Sequence, residues 1–381
     1  DEFFPNLSED TYIALTVHLD PPAQFMAHHP ELRDHWEQMI QNMSSEEWKQ
    51  AAEKYMCALI DKMDEWYPDR VYAIYLLSGG TTEWYSFLID EVIDHPTELQ
   101  KQSFKACTGH DFPSSDILKK GTDGCLRHPV EDKVALDYWK YVNDIVAEVQ
   151  CRFAHTAKVH TKGTKLVGLF NGTLCGMKLD LCVRTYYNGL DRLLACPDID
   201  MIFCPASYVA RKLPSTSALR VPTESIAAAG KLFVHEIDSA TNLVKTINSK
   251  AAADHAEGRD ESFTCAEQTK MYLRRESGIT LAKGMGYWWF DMFSGYYDDP
   301  ELMQELADIH ELQKKLMTLD NTNLSEVVEI LDQRSAYYLE TACRYPMVEH
   351  QSAPLNYTGA PWDLRIAKDL FTDPQTDKYK L

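Results

Sequence analysis

The sequence contains no C-x-x-C pair, although ten cysteines are spread along its 381 residues. The usual zinc-knuckle and dithiol redox motifs are therefore missing, and we predict no catalytic metal. Several cysteines lie inside apolar segments, as Cys204 does in MIFCPASY. This placement favours buried thiols in a reducing compartment, and hence a cytoplasmic location. The alternative is a secreted protein, since the sequons at Asn6, Asn42, Asn171, Asn323 and Asn356 would permit glycosylation.

Long apolar runs and an excess of positive charge are also missing. No segment approaches the roughly 18–20 apolar residues that a membrane-spanning helix requires. The chain has 58 acidic against 38 basic residues, a formal net charge of −20. Because affinity for nucleic acid and anionic lipid depends on neutralising phosphates, we expect neither as a partner. A neutral substrate fits this charge better.

What the sequence does contain is a regular alternation of short apolar runs and long amphipathic stretches over about 300 residues. This pattern is typical of repeated βα units around a parallel sheet. The predicted strands are the segments 11–20, 71–80, 164–173, 199–208, 230–238 and 285–293. Helices are predicted over 44–67 and 136–158, the first with a capping box formed by Ser44 or Ser45 and Glu47.

The pattern changes after about residue 320, where a helix ends and a new apolar segment, VVEIL, predicts another strand. We therefore predict two domains, an α/β domain over 1–320 and the beginning of a second domain over 321–381.

Two glutamates stand directly after or within predicted strands. Glu83 follows VYAIYLLSGG in the sequence GGTTEWYSF, and Glu236 closes GKLFVHEIDSAT. In a (β/α)8 barrel the chemistry lies at the carboxyl ends of the strands, so both are candidate catalytic residues. A pair of carboxyl groups, one protonated and one ionised, is what a retaining glycosidase requires. An acidic residue at a strand end is weak evidence by itself in so acidic a chain.

Four segments together resemble glycoside hydrolase family 42, the β-galactosidases of clan A. They are GGTTEW, PASYVAR (205–211), KLFVHEIDSAT and YWWFDMFSGYYDDPEL (287–302). The resemblance covers nearly the whole chain and implies a (β/α)8 TIM barrel followed by the start of a flavodoxin-like trimerisation domain. In that clan the acid/base glutamate ends the fourth strand and the nucleophile ends the seventh, which implies Glu83 and Glu236.

The same count makes the segment 11–20 the third strand, so the resemblance implies that the first two barrel strands and most of the trimerisation domain lie outside this sequence. One position departs from the clan. An asparagine usually precedes the acid/base and contacts the sugar 2-hydroxyl, and here Thr82 stands in its place.

Further substrate-binding candidates lie at the other predicted strand ends. A tyrosine like Tyr208 orients the nucleophile in similar enzymes, and its alternative role is to cap the core. Trp288 and Trp289 should face opposite ways, so that one contacts the sugar. The full set of predicted substrate-binding residues is His18, Trp84, Asn171, Tyr208, Trp288 and Asp291. For Asn171 the ordinary role of a turn residue is favoured over that of a ligand. Asp291 is equally a helix cap or ion-pair partner.

The resulting hypothesis is a retaining β-glycoside hydrolase for β-galactosides or related sugars, a hydrolase that needs no cofactor. The alternatives are a β-mannosidase or β-glucosidase of the same clan, a transglycosylase, or a barrel that binds carbohydrate without cleaving it. The resemblance also implies a homo-oligomer, by analogy a trimer.

Overall fold

In the computed structural model the chain forms two compact units. The first unit comprises residues 1–171, 179–202 and 333–345, and the second comprises residues 172–178, 203–332 and 346–381. The structure describes residues 8, 10–32, 42–79, 82–84, 86, 89–119, 126–171, 179–208, 211–252, 254, 263–339 and 354–381. The domain boundary near residue 320 stays a prediction.

Six strands form one sheet in the order in which they occur along the chain. They are β1 (Ile13–His18), β2 (Val71–Leu77), β3 (Leu166–Phe170), β4 (Met201–Pro205), β5 (Leu232–Ile237) and β6 (Gly286–Trp289). The pairs β1–β2, β2–β3 and β5–β6 are parallel. Each strand lies within one of the six predicted segments, so the α/β class with a parallel sheet is confirmed. The eight-stranded barrel itself stays a prediction.

Helices lie between the strands and after the last of them. They are α1 (Ala23–His28), α2 (Glu46–Trp66), α3 (Ile89–Asp94), α4 (Glu98–Thr108), α5 (Ser115–Lys119), α6 (Lys133–His160), α7 (Leu179–Arg184), α8 (Leu190–Ala195), α9 (Thr223–Ala228), α10 (Ala266–Ala282), α11 (Pro300–Leu316) and α12 (Asp369–Thr372). The two predicted helices are α2 and α6. No helix in the described ranges is long and apolar enough to cross a membrane.

The start of α2 corrects the predicted capping box. Ser45 is the N-cap, and its Oγ accepts a hydrogen bond from the Trp48 backbone N–H at 3.2 Å. Glu47 is then the second helical residue, whereas a capping box needs the glutamate at the third. The Ser45 backbone N–H donates instead to the Asn42 carbonyl at 2.8 Å.

A small parallel sheet of β7 (Val327–Leu331) and β8 (Trp362–Ile366) belongs to the second unit. Strand β7 confirms the strand predicted from VVEIL. Asp363 of β8 is buried, and its carboxylate accepts hydrogen bonds from Asn323 at 2.8 Å and from the Tyr379 hydroxyl at 2.6 Å. Helix α9 fixes β8, because the Ile366 backbone N–H donates to the Ser225 Oγ at 2.9 Å.

Candidate active site

Glu83 stands on a tight loop that follows β2. The Trp84 backbone N–H donates to the Ser78 carbonyl at 2.6 Å, and the Ser78 backbone N–H donates to the Thr82 carbonyl at 3.2 Å. The two residues that flank Glu83 have left-handed backbones, with φ of 71° at Thr82 and 66° at Trp84. A left-handed conformation costs an L-residue roughly 1–2 kcal/mol. Such strain is concentrated at functional sites, where the surrounding structure holds it in place.

The end of β1 supports this loop. The Asp20 carboxylate accepts hydrogen bonds from the Ser78 Oγ at 2.8 Å and from the Gly79 backbone N–H at 3.0 Å. Gly79 has a φ of 73°, a left-handed conformation that glycine adopts without steric cost. Gly80, which follows it, lies outside the described residues.

Trp84 is directed into the core of the first unit. It is only 3% exposed, and its indole N–H donates to the Leu76 carbonyl at 2.8 Å. Its ring lies 6.3 Å from that of Phe153 on α6. These contacts anchor the loop, and a contact of Trp84 with substrate stays a prediction.

The other two candidates of the first unit lie at the ends of β1 and β3, the strands on either side of β2. His18 is exposed at the end of β1 and lines a cavity of about 290 Å³ together with Phe25 and Tyr55. Asn171 follows β3 and is 2% exposed, and its side-chain oxygen has no hydrogen-bond partner among the described residues. A buried hydrogen-bond acceptor without a donor costs free energy, so a hydroxyl group that donates a hydrogen bond to the Asn171 oxygen would stabilise this site.

Glu236 lies on β5 in the second unit and is 6% exposed. In the parallel pair with β6, Glu236 is in register with Trp288, so both side chains lie on the same face of the sheet. The Glu236 carbonyl accepts a hydrogen bond from the Ala206 backbone N–H at 2.8 Å, just beyond β4.

The opposite face of β5 carries His235, as the strand alternation predicts. The His235 Nε2 lies 3.0 Å from the Glu276 carboxylate of α10, and both side chains are buried. Glu276 also accepts hydrogen bonds from the Ser217 Oγ and the Arg275 Nε, each at 2.8 Å. Burial by itself raises the pKa of Glu276, but the interactions with His235, Arg275 and Ser217 bring that pKa below its ordinary value of 4.5.

The two tryptophans of β6 lie on opposite faces, which confirms the prediction from alternation. Trp289 packs against the buried cluster that contains Ile237 and Tyr272, whereas the Trp288 ring lies 5.3 Å from that of Phe290. The indole N–H of Trp288 has no partner among the described residues.

Asp291 closes the loop that follows β6. Its carboxylate accepts hydrogen bonds from the backbone N–H groups of Gly295, at 2.7 Å, and Tyr296, at 3.2 Å. These bonds give Asp291 a structural role, and a contact with sugar hydroxyls stays a prediction.

Tyr208 follows β4 and is 41% exposed. The guanidinium carbons of Arg211 and Arg220 lie 4.0 and 4.8 Å from the centre of its ring. Arg211 is fully buried, and it forms an ion pair with Asp238 and donates to the Ala206 carbonyl. Arg211 thus stabilises the loop that follows β4. The predicted contact of Tyr208 with the nucleophile stays a prediction.

Taken unit by unit, the first unit carries His18, Glu83, Trp84 and Asn171, and the second carries Tyr208, Glu236, Trp288 and Asp291. The sequence reasoning missed Tyr187, whose hydroxyl donates to the main-chain carbonyl of Glu83. No spacing or motif marks this tyrosine. Among the described residues there is no group of three or more histidine, cysteine, aspartate or glutamate side chains placed to hold a metal ion.

This is a parallel α/β fold with acidic residues on or just after its strands. No family model matches the sequence, and no curated protein matches it. Solved structures do share the fold. A β-galactosidase from the psychrophilic Marinomonas ef1 matches 97% of this chain with a TM-score of 0.52 and 11% sequence identity.

Two further structures give the same result. Gan42B, a GH42 β-galactosidase from G. stearothermophilus, matches 97% of the chain with a TM-score of 0.53 and 14% identity. The β-galactosidase from Rahnella sp. R3 matches 97% with a TM-score of 0.53 and 13% identity. The chain spans 61%, 57% and 56% of the length of these three proteins. Its structural neighbours are GH42 β-galactosidases, and the resemblance seen in the sequence is confirmed for the fold.

Proposed function

We propose that the chain carries the catalytic residues of a retaining β-glycoside hydrolase, with Glu83 as acid/base and Glu236 as nucleophile. The observation that supports this best is the strained loop that holds Glu83 between two left-handed residues directly after β2. Glu236 on β5, beside Trp288, supplies the second carboxylate on a face that also presents an aromatic ring. The shared fold with GH42 β-galactosidases makes β-galactosides the first substrates to test.

The proposed reaction has two displacements. The Glu236 carboxylate attacks C1 of the sugar while Glu83 gives its proton to the leaving oxygen, so the bond from C1 to that oxygen breaks as the bond to Glu236 forms. Glu83 then takes a proton from water, and the water oxygen attacks C1 and releases Glu236. In this scheme Asn171, Trp288 and His18 bind the sugar, and Tyr208 orients Glu236.

The test is hydrolysis of aryl β-galactosides by Glu83→Gln and Glu236→Gln variants. We expect Glu236→Gln to lose several orders of magnitude in kcat on every substrate. Glu83→Gln should lose as much on poor leaving groups and far less in forming the glycosyl-enzyme from dinitrophenyl glycosides, whose leaving oxygen needs no proton. A matched control is Glu305→Gln, because Glu305 is a buried glutamate of the second unit that pairs with Arg274. Wild-type turnover by either the Glu83 or the Glu236 variant would remove that residue from the mechanism.

The threonine at position 82 means that β-glucosides and β-mannosides should be tested as substrates beside β-galactosides. Since the clan's asparagine is replaced here, the contact with the sugar 2-hydroxyl differs, and mannosides differ from glucosides at that carbon. Parallel assays with aryl β-galactosides, β-glucosides and β-mannosides would rank the three. A chain that binds these sugars and hydrolyses none would instead be a carbohydrate-binding protein, and sugar products transferred to an added alcohol would indicate a transglycosylase.

We also propose that the six strands are those numbered three to eight of a (β/α)8 barrel.

We propose as well that the protein is a homo-oligomer, by analogy a trimer. Sedimentation equilibrium tests this oligomeric state directly. A single species with the mass of one chain across the accessible concentrations would contradict it.

A further inference from the structure

Two adjacent tyrosines lie between α7 and α8 in the first unit. Tyr186 and Tyr187 are 2% and 1% exposed, and Tyr186 has a left-handed backbone with a φ of 72°. The Tyr187 backbone N–H donates to the Cys182 carbonyl at 2.9 Å. The pair is thus fixed to the end of α7.

Helix α6 fixes the same segment from its other side. The side-chain oxygen of Asn143 accepts a hydrogen bond from the Asn188 backbone N–H at 2.8 Å, and its amide donates to the Val183 carbonyl at 2.9 Å. Asn143 is fully buried on α6, a helix of 28 residues. Tyr187 therefore projects from a rigid support.

The hydroxyl of Tyr187 donates to the main-chain carbonyl of Glu83. That carbonyl belongs to the peptide that joins Glu83 to Trp84, one of the two left-handed residues. This peptide is held at both of its polar groups, because its carbonyl accepts the bond from Tyr187 and its N–H, which belongs to Trp84, donates to the Ser78 carbonyl at 2.6 Å. Relief of the strain at Trp84 would require the loop to move, and that movement would displace Glu83. The bond from Tyr187 opposes this movement, and the Trp84 indole bond to Leu76 holds the residue that follows.

We propose that Tyr187 is a positioning residue that holds Glu83 in place for proton transfer to the leaving group. The inference rests on the proposed function, in which Glu83 is the acid/base. Tyr187 acts only through the Glu83 main chain, so its effect should be confined to the steps in which Glu83 moves a proton.

The experiment compares Tyr187→Phe with the wild type on aryl β-glycosides whose leaving groups range from dinitrophenol to phenol. We expect the second-order constant kcat/KM to fall about 10–100-fold for phenyl glycosides and less than about twofold for dinitrophenyl glycosides, because proton transfer contributes about 10²–10⁴-fold. The dependence of kcat/KM on leaving-group pKa should therefore become steeper.

Tyr186→Phe is the matched control. Tyr186 is the buried neighbour, and its hydroxyl has no hydrogen-bond partner among the described residues. Its variant should keep the wild-type dependence on leaving group. Thermal melting of both variants would show how much each hydroxyl contributes to stability alone.

A double-mutant cycle with Glu83→Gln separates positioning from a general structural effect. If Tyr187 acts through Glu83, Tyr187→Phe should cost nothing further once the acid is gone. An equal loss on all substrates, an additive loss in the Glu83→Gln background, or a Tyr187→Phe chain that does not fold would each overturn the inference. If the wild type hydrolyses no aryl glycoside at all, the proposed function fails instead.

Discussion

Thr82 combines a β-branched side chain with a left-handed backbone, a conformation that such residues rarely adopt. Asparagine tolerates this region far better. We expect Thr82→Asn to raise the free energy of unfolding by about 0.5–1 kcal/mol, measured by urea denaturation. In the proposed mechanism an asparagine at this position would contact the sugar 2-hydroxyl, so the same change should also increase turnover of β-galactosides.

Thr82→Val is the control for this prediction. It keeps the branched shape and removes only the hydroxyl, so it should leave the strain in place. If Thr82→Asn were no more stable than Thr82→Val, the left-handed backbone would not be the source of the cost.

The buried carboxylate of Glu276 makes the second unit sensitive to acid. Because its pKa in the folded protein is lowered from 4.5, the stabilisation it provides is complete well above pH 4.5 and is lost as the pH falls through the folded pKa. The pKa of Asp363 is lowered in the same way: burial raises it, and bonds from Tyr379, Asn323 and Lys378 more than offset that effect.

We therefore expect Tm to fall steeply below about pH 4.5, by about 2–4 °C for each kcal/mol lost. A Glu276→Gln variant should show a flatter dependence of Tm on pH. Glu311→Gln is the control, because Glu311 has a lowered pKa but lies exposed beside Lys314. An equal change in the two variants would contradict the role of burial.

At the level of elements, α2 depends on one side chain at its start. Replacing Ser45 by alanine removes the acceptor for the Trp48 backbone N–H and should lower the free energy of unfolding by about 1 kcal/mol. Glu47→Ala should cost less, since Glu47 only accepts a bond of 3.4 Å from Ser45. Urea denaturation of both variants tests this, and a larger loss for Glu47→Ala would point back to a capping box.

The strands and helices also differ in how well the sequence predicts them. The six strands were predictable because each is a short apolar run that ends in polar or glycine-rich residues, and the opposite faces of Trp288 and Trp289 followed from alternation. The position of the N-cap at Ser45 was not, because two adjacent serines satisfy the same pattern and only the backbone selects one. Of the seven described cysteines, Cys182, Cys196 and Cys204 are buried, whereas Cys107 and Cys265 are exposed, so the expected burial of thiols holds for only some of them.

At the level of the whole molecule, the net charge of −20 predicts how binding responds to salt. A neutral glycoside has no charge to be screened, so its KM should stay within about twofold between 0.05 and 0.5 M salt. An acidic polysaccharide should be repelled at low salt. A KM for neutral glycosides that changes strongly with salt over this range would contradict the prediction.

The candidate catalytic residues could be predicted from their positions at strand ends, but the residues that hydrogen-bond to the Glu83 loop could not. Glu83 and Glu236 could be predicted because an acidic residue that ends an apolar run is visible in the sequence. Tyr187 and Asp20 contact the Glu83 loop across more than a hundred and about sixty residues of chain, respectively. A local sequence pattern does not predict contacts between residues so far apart in the chain.

Three aromatic residues in a row on β6 would keep an aromatic ring beside Glu236 even if the pairing of β5 and β6 shifted by one residue. Trp288 is paired with Glu236, and Tyr287 and Trp289 stand on either side of it. A shift of one residue in the pairing normally exchanges the two faces of a strand. Here either shift would still bring an aromatic ring beside the carboxylate. Evolution could therefore lengthen or shorten the loops around β6 and change which ring is used, without losing an aromatic surface at that position.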